Sequence, residues 1–200
     1  MINDITDGTR WMIDQGFADP KRICIYGASY GGYAALMSAV TEPDLYRCTV
    51  AYAGVYDLNL WKQDTDVSES QFGRNYIADV VAATPEGLKQ ASPLTYIDHL
   101  KAAVMIVHGE VDTRVPFSQA KALRKALDDR HYPYEWLAKS DEGHGFYLPE
   151  NREELYTRLL AFLDKNIGAG AANAAPAPVA AVPAASTPQA DAGAAAAQKQ

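Results

Sequence analysis

The chain has 200 residues, and 25 acidic against 18 basic side chains leave a net charge of −7 with histidines neutral. That balance excludes a protein built to neutralise nucleic-acid phosphates or an anionic membrane surface, since both need a surplus of Lys and Arg. A composition that is 48% hydrophobic and 22% charged excludes disorder throughout, and no apolar run approaches the roughly 18 residues of a membrane span.

Met1 opens on Ile2-Asn3-Asp4, with neither a positive n-region nor an apolar h-region, so no secretion signal is visible and the compartment stays open. The first predicted element is a helix with Ile2, Ile5 and Met12 facing inward and Gly16 as its C-cap. A strand is expected at Arg22 to Tyr26, then a tight turn and a helical run from Ala34 to Val40, then a second strand at Cys48 to Ala53. The span Asp57 to Leu100 is long and polar in its first half; it reads as an excursion over the carboxyl edge of a sheet, where ligand sites are shaped. A third strand, Ala102 to His108, leads into a helix with Pro116 near its start and Phe117, Ala120, Leu123 and Leu127 on one face. The fourth strand, Tyr134 to Ala138, precedes a last helix carrying Leu155, Leu159, Phe162 and Leu163. This alternation predicts an α/β fold: a doubly wound, mainly parallel sheet of about four strands with helices on both faces. Cys24 and Cys48 fall on neighbouring strands and fit neither a zinc site nor a redox pair; two buried thiols are the default, because a disulfide needs an oxidising compartment. Gly168 to Gln200 holds 16 Ala and four Pro. With almost nothing large to bury, residues 168–200 are expected to be a disordered tail and 1–167 the domain.

Gly27-Ala28-Ser29-Tyr30-Gly31 is a Gly-x-Ser-x-Gly pattern between a predicted strand and a predicted helix. Such a turn lifts a serine hydroxyl clear of the sheet, with Gly27 and Gly31 expected to clear the crowded backbone on each side, and turns the helix N-terminal amides toward developing negative charge. Serine needs a base, almost always a histidine held in one tautomer by a carboxylate. Of the four histidines, His144 lies in a glycine-flanked loop after the last strand; His99 and His131 sit at helix ends, and His108 suits support of the third strand's end. For the carboxylate, Asp112 lies just past the third strand, with Asp57 and Glu110 as competitors. The order Ser29, Asp112, His144 is that of α/β-hydrolases, and no metal or organic cofactor is implied. Tyr33, Tyr52, Tyr56, Trp61 and Tyr76 are candidates for an aromatic substrate pocket, Tyr33 and Tyr56 first among them, although aromatics beside a sheet are more often core.

Gly-Ala-Ser-Tyr-Gly-Gly-Tyr at 27–33, Val-His-Gly-Glu-Val-Asp-Thr-Arg-Val-Pro at 107–116 and Glu-Gly-His-Gly-Phe at 142–146 resemble the catalytic domain of the prolyl oligopeptidase family of serine peptidases. The likeness is to the acylaminoacyl-peptidase and dipeptidyl-peptidase branches, as it is for Arg47-Cys48 through Gly54, Asp57-Leu58 and Ser92-Pro93, and it runs from Met1 to about Ile167. The resemblance implies an α/β-hydrolase fold and a peptide substrate, with Ser29 as nucleophile, Asp112 as orienting acid, His144 as base and the Tyr30 amide as one oxyanion donor. It also implies an N-terminal propeller and further hydrolase strands ahead of the opening helix. The chain is therefore expected to be a truncated form, the C-terminal part of a catalytic domain, with the missing half as partner in cis or in trans. Its first strand would then be an unpaired apolar edge, and self-association is expected. Two other functions stay open: an esterase or small-molecule amidase of the same fold, and a catalytically silent fragment.

Overall fold

Four strands, Cys24–Ala28 (β1), Cys48–Tyr52 (β2), Ala103–Gly109 (β3) and Tyr134–Lys139 (β4), form one parallel sheet in the order β1-β2-β3-β4 in a computed structural model that describes residues 1–171. Helix Ile2–Asp14 (α1) precedes the first strand, Tyr30–Thr41 (α2), Leu58–Asp64 (α3), Gln71–Tyr76 (α4), Pro85–Gln90 (α5) and Ser118–Asp128 (α6) run between strands, and Pro149–Ile167 (α7) follows the last. Successive strand residues point to opposite faces, and both faces are covered. Ala51, Val104 and Ile106 pack with Leu36 and Val40 of α2 and Leu123 and Leu127 of α6. Val50, Met105 and Val107 pack with Leu155, Leu159 and Phe162 of α7 on the other side. Burial on both faces explains why the two central strands, β2 and β3, read as continuous apolar runs instead of alternating ones. The α/β class and the doubly wound arrangement are therefore as expected.

Several local expectations change. β1 begins at Cys24, two residues late, because Arg22 belongs to a turn in which its amide and guanidinium both bond Asp19. In α1, Met12 is 41% exposed. Ile13 is the half-buried residue instead, and Thr6 is the helix's one fully buried side chain. The helix does end as read: Gly16, at φ +74°, donates to the Ile13 carbonyl while Phe17 donates to that of Met12, a Schellman stop. The two cysteines correct the default of free thiols. Cys24 and Cys48 are register partners on β1 and β2, with Cα atoms 4.5 Å apart, and form a disulfide. After α7, Gly168 to Ala171 make a turn that buries Ala171; the rest of the predicted tail, residues 172–200, lies outside the described residues.

The excursion between β2 and β3 holds α3, α4 and α5 with shorter helical turns, around a small core of its own: Leu58, Trp61, Ile77 and Leu88, closed by Val55 and Val115. Gln119 of α6, fully buried, accepts from the amides of Tyr56 and Asp57 and donates to the Asp57 carbonyl, which fixes where the chain leaves β2. Among the described residues no helix is long and apolar enough to cross a membrane.

Candidate active site

All four strands deliver their carboxyl ends to one edge of the sheet, and the candidate residues sit there. β1 passes into α2 through Ser29, whose backbone takes φ 59° and ψ −123°. That region is sparsely populated by non-glycine residues and costs on the order of 1–3 kcal/mol unless the surroundings enforce it. Here they do: the Ser29 amide donates to the Tyr52 carbonyl, and the Ser29 carbonyl accepts from Gly32 and Tyr33. Gly27 is needed as expected, since a Cβ there would lie 2.2 Å from the Gly31 carbonyl oxygen. Gly31 itself faces open space; the crowded partner is Gly32, whose Cβ would meet the Tyr52 carbonyl oxygen at 2.4 Å. Tyr30 opens α2, so its amide is one of those that a helix cannot satisfy internally.

β3 ends in a turn that folds Asp112 inward until its side chain is wholly buried. One carboxylate oxygen, Oδ1, accepts from the amides of Arg114 and Val115, each at 2.9 Å. The other, Oδ2, lies 2.7 Å from His144 Nδ1. Across the ring, His144 Nε2 is 2.8 Å from Ser29 Oγ. A carboxylate only accepts, so Nδ1 carries the proton and Nε2 presents a lone pair to the serine hydroxyl. The ring remains 30% exposed and open to a substrate.

The loop that carries His144 is held by Glu142 and Tyr52, neither of which the sequence assigns to that task. Glu142, 2% exposed, accepts from the amides of Tyr147 and Leu148 and from the Asn151 side chain. Burial pushes its carboxyl up, but the bonds from Tyr147, Asn151 and Leu148 together with the Lys139 charge hold it below the ordinary value. Its carbonyl accepts from Val111, which ties the histidine loop to the acid turn. The Tyr52 hydroxyl accepts from the Phe146 amide beneath. The one available signal was the acidic residue two positions before His144, close to a helix start with Pro149 at its first turn.

Other candidates fall elsewhere. Asp57 caps α3, accepting from the amides of Asn59 and Leu60. Glu110 is exposed, with its amide on the Lys139 carbonyl. His99 and His131 are exposed at helix ends, His131 with φ +51°. Tyr56 has no exposed surface, and its hydroxyl accepts from the Gly54 amide; it is core, which corrects its reading as a substrate contact. Tyr33 is half-buried with its hydroxyl on the Ala91 carbonyl, bolting α2 to the excursion. Tyr52 and Trp61 are buried, Trp61 donating to the Arg114 carbonyl, whereas Tyr30 and Tyr76 stay about half exposed. Thr65 also bonds the Arg114 carbonyl, so the excursion braces the acid turn.

The chain as a whole has known relatives. Residues 1–170 match the sequence profile of the prolyl oligopeptidase family. The chain belongs to that family. It is 30% identical over 172 residues to dipeptidyl aminopeptidase BIII of Pseudoxanthomonas mexicana, a match covering 84% of this chain and 25% of that protein. A puromycin-hydrolysing peptidase of Mycobacterium tuberculosis superposes with a TM-score of 0.76 at 28% identity, over 84% of this chain and 25% of that one. The acylaminoacyl peptidase of Pyrococcus horikoshii gives 0.75 at 25% identity, over 84% and 28%. The chain thus spans about a quarter of the length of these family relatives.

Proposed function

We propose that the chain carries the catalytic machinery of a serine peptidase, with Ser29 as nucleophile, His144 as general base and Asp112 as orienting acid. The observation that carries this reading is a single ring: His144 spans Ser29 Oγ at 2.8 Å and Asp112 Oδ2 at 2.7 Å. In the proposed reaction His144 Nε2 takes the hydroxyl proton as Ser29 Oγ bonds the carbonyl carbon of a peptide. Asp112 stabilises the imidazolium, and the Tyr30 amide donates to the oxyanion. The protonated ring then gives its proton to the leaving amine. Water, activated by the same nitrogen, releases the acyl group and restores the serine.

The favoured substrates are oligopeptides, in keeping with the peptidase names of the relatives. A second reading, a small-molecule amide, is supported by the puromycin-hydrolysing relative. The deciding comparison is turnover of unblocked, N-acylated and dipeptidyl chromogenic amides against short esters. The unpaired side of β1 supports a further strand docking there, in cis or in trans, as part of the working enzyme. The nucleophile is tested with a fluorophosphonate probe: the wild-type chain should be labelled at Ser29 and Ser29→Ala should not be labelled. Labelling that survives the substitution would remove the assignment.

A further inference from the structure

The last ring before the acid turn is His108, near the carboxyl end of β3, and it is wholly buried, 5.8 Å from the Phe117 ring. Its Nε2 lies 2.7 Å from the Val115 carbonyl oxygen and 3.6 Å from Asp112 Oδ2. Its Nδ1 is buried with no hydrogen-bond partner among the described residues. A carbonyl oxygen only accepts, so Nε2 carries the proton; burial pushes the ring's pKa below the usual histidine value and keeps the ring neutral. Nδ1 is then a bare lone pair shut away from water, a desolvation penalty that leucine or phenylalanine would not incur at the same site. Packing alone does not account for a histidine here.

What the ring does hold is Val115. That residue is gripped from two sides: its amide donates to Asp112 Oδ1, and its carbonyl accepts from His108. Oδ1 is thereby fixed on the turn's own amides, which leaves Oδ2 for His144. We propose that His108 is a positioning residue for Asp112: by donating Nε2–H to the Val115 carbonyl it locks the turn that orients the carboxylate, and so aims Oδ2 at His144. The inference rests on the reading of Asp112 as the orienting acid, and it adds a layer behind that acid which the hydroxyl, base and carboxylate do not themselves contain.

The test compares His108→Leu, which fills the space without a donor, with His108→Gln, which returns an N–H at a similar reach. Each is made in the full chain beside wild type and Asp112→Asn. Three quantities are followed: the rate of fluorophosphonate labelling at Ser29, kcat and KM on a chromogenic amide, and the downfield proton resonance of His144 Nδ1–H. Misplacing a catalytic group by about 1 Å costs on the order of 10²-fold. His108→Leu should slow labelling and kcat by about that factor while KM stays put, with the downfield resonance shifted or broadened. His108→Gln should recover most of the rate and the resonance. Equal rates in the two variants, or losses that only track the folded fraction measured by urea titration, overturn the inference. If instead Asp112→Asn labels as fast as wild type, the reading of the acid has failed and takes the inference with it. That outcome is told apart because it appears in a variant that leaves His108 intact.

Discussion

Glu142 touches no candidate reacting atom, yet it fixes the loop from which His144 projects by accepting from two backbone amides and Asn151. Because its carboxyl is held below the ordinary value of 4.5 in the folded chain, the fold favours the ion. The resulting stability is present in full above that value and is lost as pH falls through the lower folded one. Glu142→Gln should therefore cost about 1.5–3 kcal/mol near neutral pH, the worth of hydrogen bonds to a buried charged group. The gap from wild type should narrow as pH falls below 4.5; urea titrations at a series of pH values read it, and a gap independent of pH would contradict the assignment. The two acids after strands separate in the same way. Asp112→Asn should lower kcat by about 10⁴ through the wrong histidine tautomer. Asp57→Ala should leave turnover nearly intact and lower stability by about 1 kcal/mol, as the loss of a helix cap does. A kinetic assay and a melt on each variant decide between the two roles.

At the scale of elements, the junction of β1 with α2 depends on backbones in contact. The first turn of α2 lies against the end of β2, where Gly32 faces the Tyr52 carbonyl and Gly54. Gly32→Ala should destabilise the chain by about 1–3 kcal/mol, the usual cost of overpacking a tight contact. Gly31→Ala, one residue away in the same helix but facing open space, should stabilise it by about 0.5–1 kcal/mol through lower backbone entropy. Opposite signs at adjacent glycines, read from urea midpoints, are the expected outcome, and equal effects would mean the helix start can shift. The acid turn and the histidine loop meet just as closely. A Cβ on Gly109 would fall 2.2 Å from the Gly143 carbonyl oxygen. Two loops far apart in the chain can therefore share one site only with glycine between them.

For the whole molecule, the decisive feature is asymmetry of the sheet. Among the described residues β1 pairs with β2 alone, and Tyr26 on it is 47% exposed, with Tyr156 of α7, likewise exposed, close by. Trp11, Met12 and Phe17 add a second exposed apolar group on the segment leading into β1. An apolar edge with free backbone donors and acceptors is a template for pairing with another chain. The chain should accordingly self-associate at micromolar concentration, and Tyr26→Lys should shift it toward monomer on size exclusion, because an edge lysine must be stripped of water to pair. A wild-type chain that elutes as a monomer at all concentrations would show the edge to be harmless.

How much of this was legible beforehand follows from what each signal depends on. The strands, the order of helices and Ser29, Asp112 and His144 as candidates could be read from the chain because apolar periodicity and Gly-x-Ser-x-Gly are local patterns with a local physical cause. The sequence by itself also determined the two-faced covering of the sheet, since right-handed crossovers between parallel strands lay helices on both sides. What it left open were matters of distance between segments remote in the chain. That His144 reaches Ser29, that Cys24 meets Cys48 in register, and that Asp57 caps a helix were settled only when the sheet set those segments side by side. His108 could be read only as support for the end of the third strand, and Glu142 had no reading of its own, for the same reason: a buried polar side chain is defined by the groups that satisfy it, and those groups, Val115, Tyr147, Leu148 and Asn151, are assembled by tertiary structure alone.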